Sequence, residues 1–86
     1  MQNRVQFAPG GSFPKHVHPG EEVIYVLEGQ LEYQVEGERP RTLRAGDVLF
    51  IPAGKVHSVR NMGDCAGSEL GTYIVERNKP LVTIVE

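Results

Sequence analysis

Residues 30–37 read QLEYQVEG, and their order decides how the chain folds. Leu31, Tyr33 and Val35 alternate with Gln30, Glu32 and Gln34, the two-residue period of a strand with one face in a core and one in water. Outward from this stretch the pattern recurs. Short runs of β-branched and aromatic residues predict further strands near 4–7, 15–18, 22–28, 41–44, 47–51, 56–61, 69–76 and 81–85. Turn residues separate them at Glu28-Gly29, Glu36-Gly37, Ala45-Gly46, Pro52-Ala53-Gly54 and Asn61-Met62-Gly63. No window carries a sustained helical apolar period. Many short strands with glycine-containing turns and no helix specify an all-β sandwich or closed barrel.

Bulk properties narrow the class further. With 86 residues the chain reads as one domain, 1–86, without internal repeat or linker. A domain this small buries a modest share of its surface, so association or a bound metal is expected to supplement its core. The hydrophobic fraction is 40%, the charged fraction 23% and the formal charge −2, an ordinary globular composition. Without a basic cluster, no nucleic-acid partner is expected. No apolar run is long enough to span a bilayer, and MQNRVQFAPGG lacks the parts of a signal peptide, so a soluble, cytoplasmic protein with no membrane partner is expected. Cys65 is the single cysteine, which excludes an internal disulfide and a multi-cysteine zinc site.

Two predicted strands depart from simple alternation. In EVIYVLE and VLFI both faces are apolar, so one side meets the core and the other needs a cover. That cover is either a second subunit, giving a homodimer, or a second sheet of the same sandwich.

The chemistry-bearing residues lie in two segments. In FPKHVHPGEEVIYVLEG, residues 13–29, His16 and His18 stand two apart at a strand end and so project from one face. Pro19-Gly20 turns the chain, and Glu22 opens the next strand, where its carboxylate can return to the same interior. An isolated His-x-His pair is a weak signal and reads first as two solvated or hydrogen-bonded histidines. The third histidine, His57, lies in IPAGKVHSVRN, where a Pro-x-Gly turn feeds a strand that places His57, Val59 and Asn61 on one face. Three imidazoles and one carboxylate suit a first-row transition ion and make a poor cage for Mg or Ca. Strand parity gives Ile24 and Val26 the same inward direction as Glu22 and turns Glu21 away from it. Tyr33 and Tyr73 read as core aromatics whose hydroxyls are able to reach a cavity.

On these residues the chain resembles the cupin superfamily. The first cupin motif is matched by Gly10, His16, His18, Glu22 and Gly29 across 10–29, and the second by Gly46, Pro52, Gly54, His57 and Asn61 across 46–61. The resemblance implies a small antiparallel β-barrel, or jelly roll, of the double-stranded β-helix kind. It implies one divalent transition ion (Fe, Mn, Ni, Cu, Co or Zn) held inside by His16, His18, Glu22 and His57. Gly29, Gly46 and Gly54 would be turn residues with unusual backbone angles, Pro52 would set the turn before His57, and Asn61 would tie down a turn. Nine residues precede Gly10, whereas small members usually carry a further strand or two there, so a trimmed or minimal barrel is implied.

The function implied is metal-dependent chemistry on a small-molecule substrate, foremost a dioxygenase-type oxidoreductase in which Glu22 doubles as a base. Cupins that act as isomerases, lyases or decarboxylases, with the ion only polarising a carbonyl, offer the second reading. A module that binds a metal or small ligand without turnover is the third.

Overall fold

The computed structural model describes residues 1–74 and 82–85. Among these, nine strands form and no helix does. They are β1 (Gln2–Phe7), β2 (Ser12–Val17), β3 (Glu22–Glu28), β4 (Gln30–Val35), β5 (Arg41–Arg44), β6 (Val48–Ile51), β7 (His57–Asn61), β8 (Gly67–Tyr73) and β9 (Thr83–Ile84). Two sheets result, one ordered β1-β8-β3-β6 and the other β5-β4-β7-β2-β9, with antiparallel pairing throughout.

The alternation of QLEYQV becomes packing. Leu31, Tyr33 and Val35 turn into the core with 0%, 1% and 5% of their surface exposed. Leu43 on β5 and Val59 on β7 join them from the same sheet. Opposite them, Phe7, Ile24, Val26, Leu49 and Ile51 project inward from the other sheet. Each such side chain contributes roughly 1.5–3 kcal/mol on leaving water. Ile24 and Val26 do share the inward direction of Glu22, and Glu21 is exposed.

The expected turn geometry also appears. Gly29, Gly46 and Gly54 have φ of 81°, 93° and 75°. At Gly29 a second constraint acts, because a Cβ there would lie 2.8 Å from the Gly67 Cα. Asn61 is a turn hub. Its Nδ2 donates to the carbonyls of Phe7, Ala8 and Cys65 at 3.0, 3.1 and 3.0 Å, and its Oδ1 accepts from the Gly63 N–H at 2.9 Å.

Several boundaries differ from the sequence expectation, with β1 starting at Gln2 rather than 4 and others moving by a residue or more. β2 begins at Ser12 rather than 15, because a register shift between Phe13 and His16 lets Pro14 sit within the strand. β8 begins at Gly67 rather than 69, although Gly-Ser has little strand propensity. A Cβ at Gly67 would meet Leu31 Cδ2 at 3.1 Å, so the absent side chain lets β8 pass close to the core. Residues 75 and 76 of the expected 69–76 strand and 81 of the expected 81–85 strand lie outside the described residues.

The second sheet covers only the inner faces of β3 and β6. Val23, Tyr25, Val48 and Phe50 point outward with 40%, 44%, 55% and 57% of their surface exposed. A second sheet of the same chain is therefore not the cover of that outer face among the described residues. Among those residues, too, no helix is long and apolar enough to cross a membrane.

Candidate metal centre

The two sheets hold the site between them. His16 on β2 and His57 on β7 are register partners, so their side chains emerge side by side from one sheet. His18 follows one residue beyond the end of β2, and Pro19-Gly20 then carries the chain across to the other sheet. There Glu22, the first residue of β3, pairs with Ile51 and Tyr73. A Cβ on Gly20 would fall 2.1 Å from the Ile74 carbonyl oxygen, so only glycine passes at this crossing. The Gly54 N–H donates to the His18 carbonyl at 3.0 Å, tying the turn before His57 to the segment carrying the other two histidines.

All four side chains are at most 5% exposed. Ring centroids of the histidines lie 4.1 Å (His16–His57), 4.8 Å (His16–His18) and 5.0 Å (His18–His57) apart. One nitrogen of each lies within 4.8 Å of those of the other two. Backbone carbonyls orient two of the rings. His16 Nδ1 is 2.7 Å from the Pro14 oxygen and His57 Nδ1 is 2.9 Å from the Lys55 oxygen, so Nδ1 donates and the Nε2 lone pair is the one available inside. Glu22 Oε1 sits 3.2 Å from His18 Nε2 and 3.3 Å from His57 Nε2.

These separations suit an ion. Two donors adjacent on an octahedral ion with bonds of about 2.1 Å stand about 3.0 Å apart. Nitrogen and carboxylate donors together match first-row transition ions. The three-histidine cluster thus supports a divalent metal site.

Burial and neighbouring charge shift three of the side chains at this site. Burial takes the His16 imidazole down to about 4, against the hydrogen bond to Pro14, with the charges of His57 and His18 adding to the fall. Burial alone would raise the Glu22 carboxyl, but the His18 and His57 rings beside its Oε1 bring it down to about 2. Burial pushes the Tyr73 phenol up, and the adjacent Glu22 carboxylate pushes it further.

A cavity of about 210 Å³ opens on this cluster. Val5, Phe7, Phe13 and Val82 give it apolar walls, and Tyr33 and Tyr73, the two aromatics expected to have hydroxyls within reach, both line it. Two further residues were not singled out from the sequence. Glu69, 4% exposed, lines the cavity and accepts a hydrogen bond from the Tyr33 hydroxyl. Gly71 leaves the space that Glu22 and Tyr73 fill, since a Cβ there would lie 2.9 Å from Tyr73 Oη and 3.0 Å from Glu22 Oε2. Parity with Tyr73 along β8 is the signal that would have found both.

Comparison with known families meets the same residues, for the cupin domain profile matches residues 3–68. The chain is a cupin. It is 39% identical over 75 residues to germin-like protein subfamily 2 member 2 of Arabidopsis thaliana, covering 81% of this chain and 34% of that protein. It is 42% identical over 57 residues to dimethylsulfoniopropionate lyase DddQ of Ruegeria pomeroyi, covering 65% of this chain and 28% of the lyase. Among solved structures, oxalate oxidase in complex with the substrate analogue glycolate superposes with a TM-score of 0.86 at 32% identity, covering 98% of this chain and 45% of the oxidase. This cupin spans about a third of the length of the curated relatives it matches.

Proposed function

We propose that this cupin, read as one domain over 1–86, binds one divalent transition ion through His16, His18, Glu22 and His57 and carries out a dioxygenase-type oxidation of a small organic substrate. The observation that carries this reading is the convergence of three buried imidazoles and one carboxylate on a cavity of about 210 Å³. That volume lies below the roughly 300–1,000 Å³ of clefts for drug-sized ligands, which limits the substrate to a compact molecule. Likeness to oxalate oxidase supports redox chemistry.

When bound, the ion supplies Lewis-acid polarisation and, if redox-active, a path for electrons. The chain's own residues do the rest. The Pro14 and Lys55 carbonyls fix two imidazoles before any ligand arrives, so little ordering remains for the bound state. Val5, Phe7 and Phe13 give the reacting atoms an apolar wall. Glu22 would hold the ion with the three histidines and would also serve as the base that takes a proton from the substrate.

The test is elemental analysis of protein made without a histidine tag, beside a His57→Ala variant. One ion per chain is expected in the first and a marked loss in the second; full metal content and unchanged thermal stability in the variant would refute the four-ligand set. Protein loaded in turn with Fe, Mn, Ni and Cu is then offered flavonols, diketones, aromatic diols and oxalate while O₂ is followed. No uptake with any pair ends the oxidative reading.

Similarity to DddQ favours a second reading, a non-redox lyase or related enzyme in the same site. Turnover retained with redox-inert Zn, tried on dimethylsulfoniopropionate first, separates the two.

The small-molecule partner is accompanied by a second copy of the chain. We infer a homodimer because, among the described residues, β6 is an edge strand and its outward Val48 and Phe50 continue the apolar stripe of Val23, Tyr25 and Leu27 on β3. Sedimentation of wild type and Phe50→Lys tests this, and a monomeric wild type refutes it.

A further inference from the structure

The cavity holds two buried carboxyls, and only one belongs to the histidine cluster. Glu22 lies among the imidazoles. Glu69 reaches the same space from β8, where its register partners are Val5 on β1 and Val26 on β3. Its neighbours on those strands are therefore apolar. On the opposite sheet Tyr33 rises from β4 and gives its hydroxyl hydrogen to Glu69 Oε1. Tyr33 is 1% exposed and Glu69 4%, so packing and a hydrogen bond together fix this carboxyl at the wall of the cavity. A carboxyl placed there without a hydrogen-bond partner would be strongly disfavoured. A buried carboxyl held by a tyrosine on the wall of this cavity asks for a role.

We propose that Glu69, held by the Tyr33 hydroxyl, is the proton donor of this cavity, serving an oxygen of a small carbonyl or carboxylate ligand bound beside the His16–His18–Glu22–His57 set. The proposal rests on the reading of that set as a metal centre. In the step, the O–H bond of Glu69 breaks as an O–H bond forms on the ligand, and the electron pair stays on Glu69 as a carboxylate that the Tyr33 phenol stabilises. The reverse transfer restores the acid. No electrons are exchanged, so no co-reactant is required.

In the metal-free protein burial favours the protonated form of this acid. Burial raises the Glu69 carboxyl to about 8, the Glu22 carboxylate adds to the rise and His18 opposes it. The largest contribution, burial, does not depend on what the histidines hold. The groups that bear on Glu69 are Tyr33 from β4, Glu22 from β3, His18 from the turn after β2 and Tyr73 on its own strand. An acid of this strength is matched to transfer near neutrality in both directions. Glu22, drawn down by His18 and His57, is the opposite case, so one cavity keeps one carboxyl ionised and the other protonated.

The experiment uses the full chain loaded with Zn, with glycolate as the probe. Wild type, Glu69→Gln, Glu69→Ala and Tyr33→Phe are compared for zinc content, glycolate affinity at pH 6.5 and 9, and the 13C carboxyl resonances of labelled glutamate. Zinc content is expected to be equal in all four. At pH 6.5 Glu69→Ala should bind glycolate about tenfold more weakly than wild type, the size of one hydrogen bond to a charged group. Glu69→Gln, a permanent neutral donor, should stay within about threefold. At pH 9 the wild-type advantage over Glu69→Ala should vanish. In the zinc-free protein one glutamate resonance should titrate near pH 8, be missing in Glu69→Gln, and move to higher pH in Tyr33→Phe, which lacks the phenol that stabilises the anion. Zinc-replete Glu69→Ala with wild-type glycolate affinity at both pH values, or a Glu69 resonance already ionised at pH 6.5, overturns the proposal and leaves the metal reading standing. A wild type that takes up no zinc overturns both.

Discussion

Replacing Asn61 by Asp changes one atom and should unfold a corner of the sandwich. The Asn61 side chain is 2% exposed, and its two amide hydrogens face the carbonyls of Phe7, Ala8 and Cys65 at 3.0, 3.1 and 3.0 Å. These carbonyls belong to the end of β1, the β1–β2 turn and the β7–β8 loop, so the amide staples together segments 53 or 54 residues apart in sequence with one only 4 away. Alanine would leave three carbonyls and the Gly63 N–H without this partner. A buried group left unpaired costs roughly 1–3 kcal/mol, and water entering from the part-exposed side recovers some of it, so a loss of about 3 kcal/mol is expected. For a domain of 60–100 residues that corresponds to a fall in Tm of about 12–24 °C. Aspartate keeps the acceptor for Gly63 but sets a carboxylate oxygen against three carbonyl oxygens. Near pH 7 it should therefore be at least as damaging as alanine, and part of its deficit should return once acid protonates it. Urea unfolding of the metal-free protein is the measurement, because chelation removes any stabilisation that differential metal binding would add. Asn61→Asp within about 0.5 kcal/mol of wild type, the range of an ordinary surface change, would refute the staple.

Two further expectations concern the site. Gly71→Ala places a methyl group 2.9 Å from Tyr73 Oη and 3.0 Å from Glu22 Oε2. Displacing these side chains should lower metal affinity about 10–100-fold, the usual effect of disturbing a ligand's supports, while the circular dichroism stays that of the wild type. Competition against a chromophoric chelator measures it, and unchanged affinity counts against the Glu22 placement. The metal-free protein should also show opposed pH effects. Glu69 is raised from 4.5 to about 8, so the folded state holds its proton more tightly and the stability it contributes, complete below pH 4.5, is lost as pH rises to about 8. His16 is lowered from 6.5 to about 4, so the unfolded state binds its proton more tightly and stability is lost as pH falls from 6.5 to about 4. Denaturant midpoints of Glu69→Gln should stay level from pH 6.5 to 8 where the wild type declines, and parallel curves there would count against the buried acid.

The legible part of this protein is the part where hydrophobic alternation and turn chemistry agree. Leu31, Tyr33 and Val35 announce their strand because the outward partners are polar. His16, His18, Glu22 and His57 are brought together because register and parity place each on an inner face. β2 extends back through Pro14, an unfavourable strand residue, because a bulge that is invisible in composition accommodates it. The outer stripe of β3 and β6 was visible as two-faced apolar strands. What the sequence did not specify is that the second sheet covers only the inner side, since alternation gives faces and not neighbours.

β8 shows why Glu69 escaped notice. In SELGTY, alternation judged by hydrophobicity turns Leu70 inward and Glu69 outward. The fold does the reverse, with Glu69, Gly71 and Tyr73 buried and Leu70 only half-buried on the other face. Register decides this: Glu69 lies opposite Val26 and Tyr73 opposite Glu22, both inward positions of β3. A strand that buries its glutamate and turns its leucine away gives up apolar burial in favour of something else, and such inversions concentrate at functional sites. Here the inverted face carries the acid, the gap and the phenol that complete the cavity wall beside His18 and Glu22. The point at which pattern reading fails on this chain is therefore itself evidence that β8 belongs to the site.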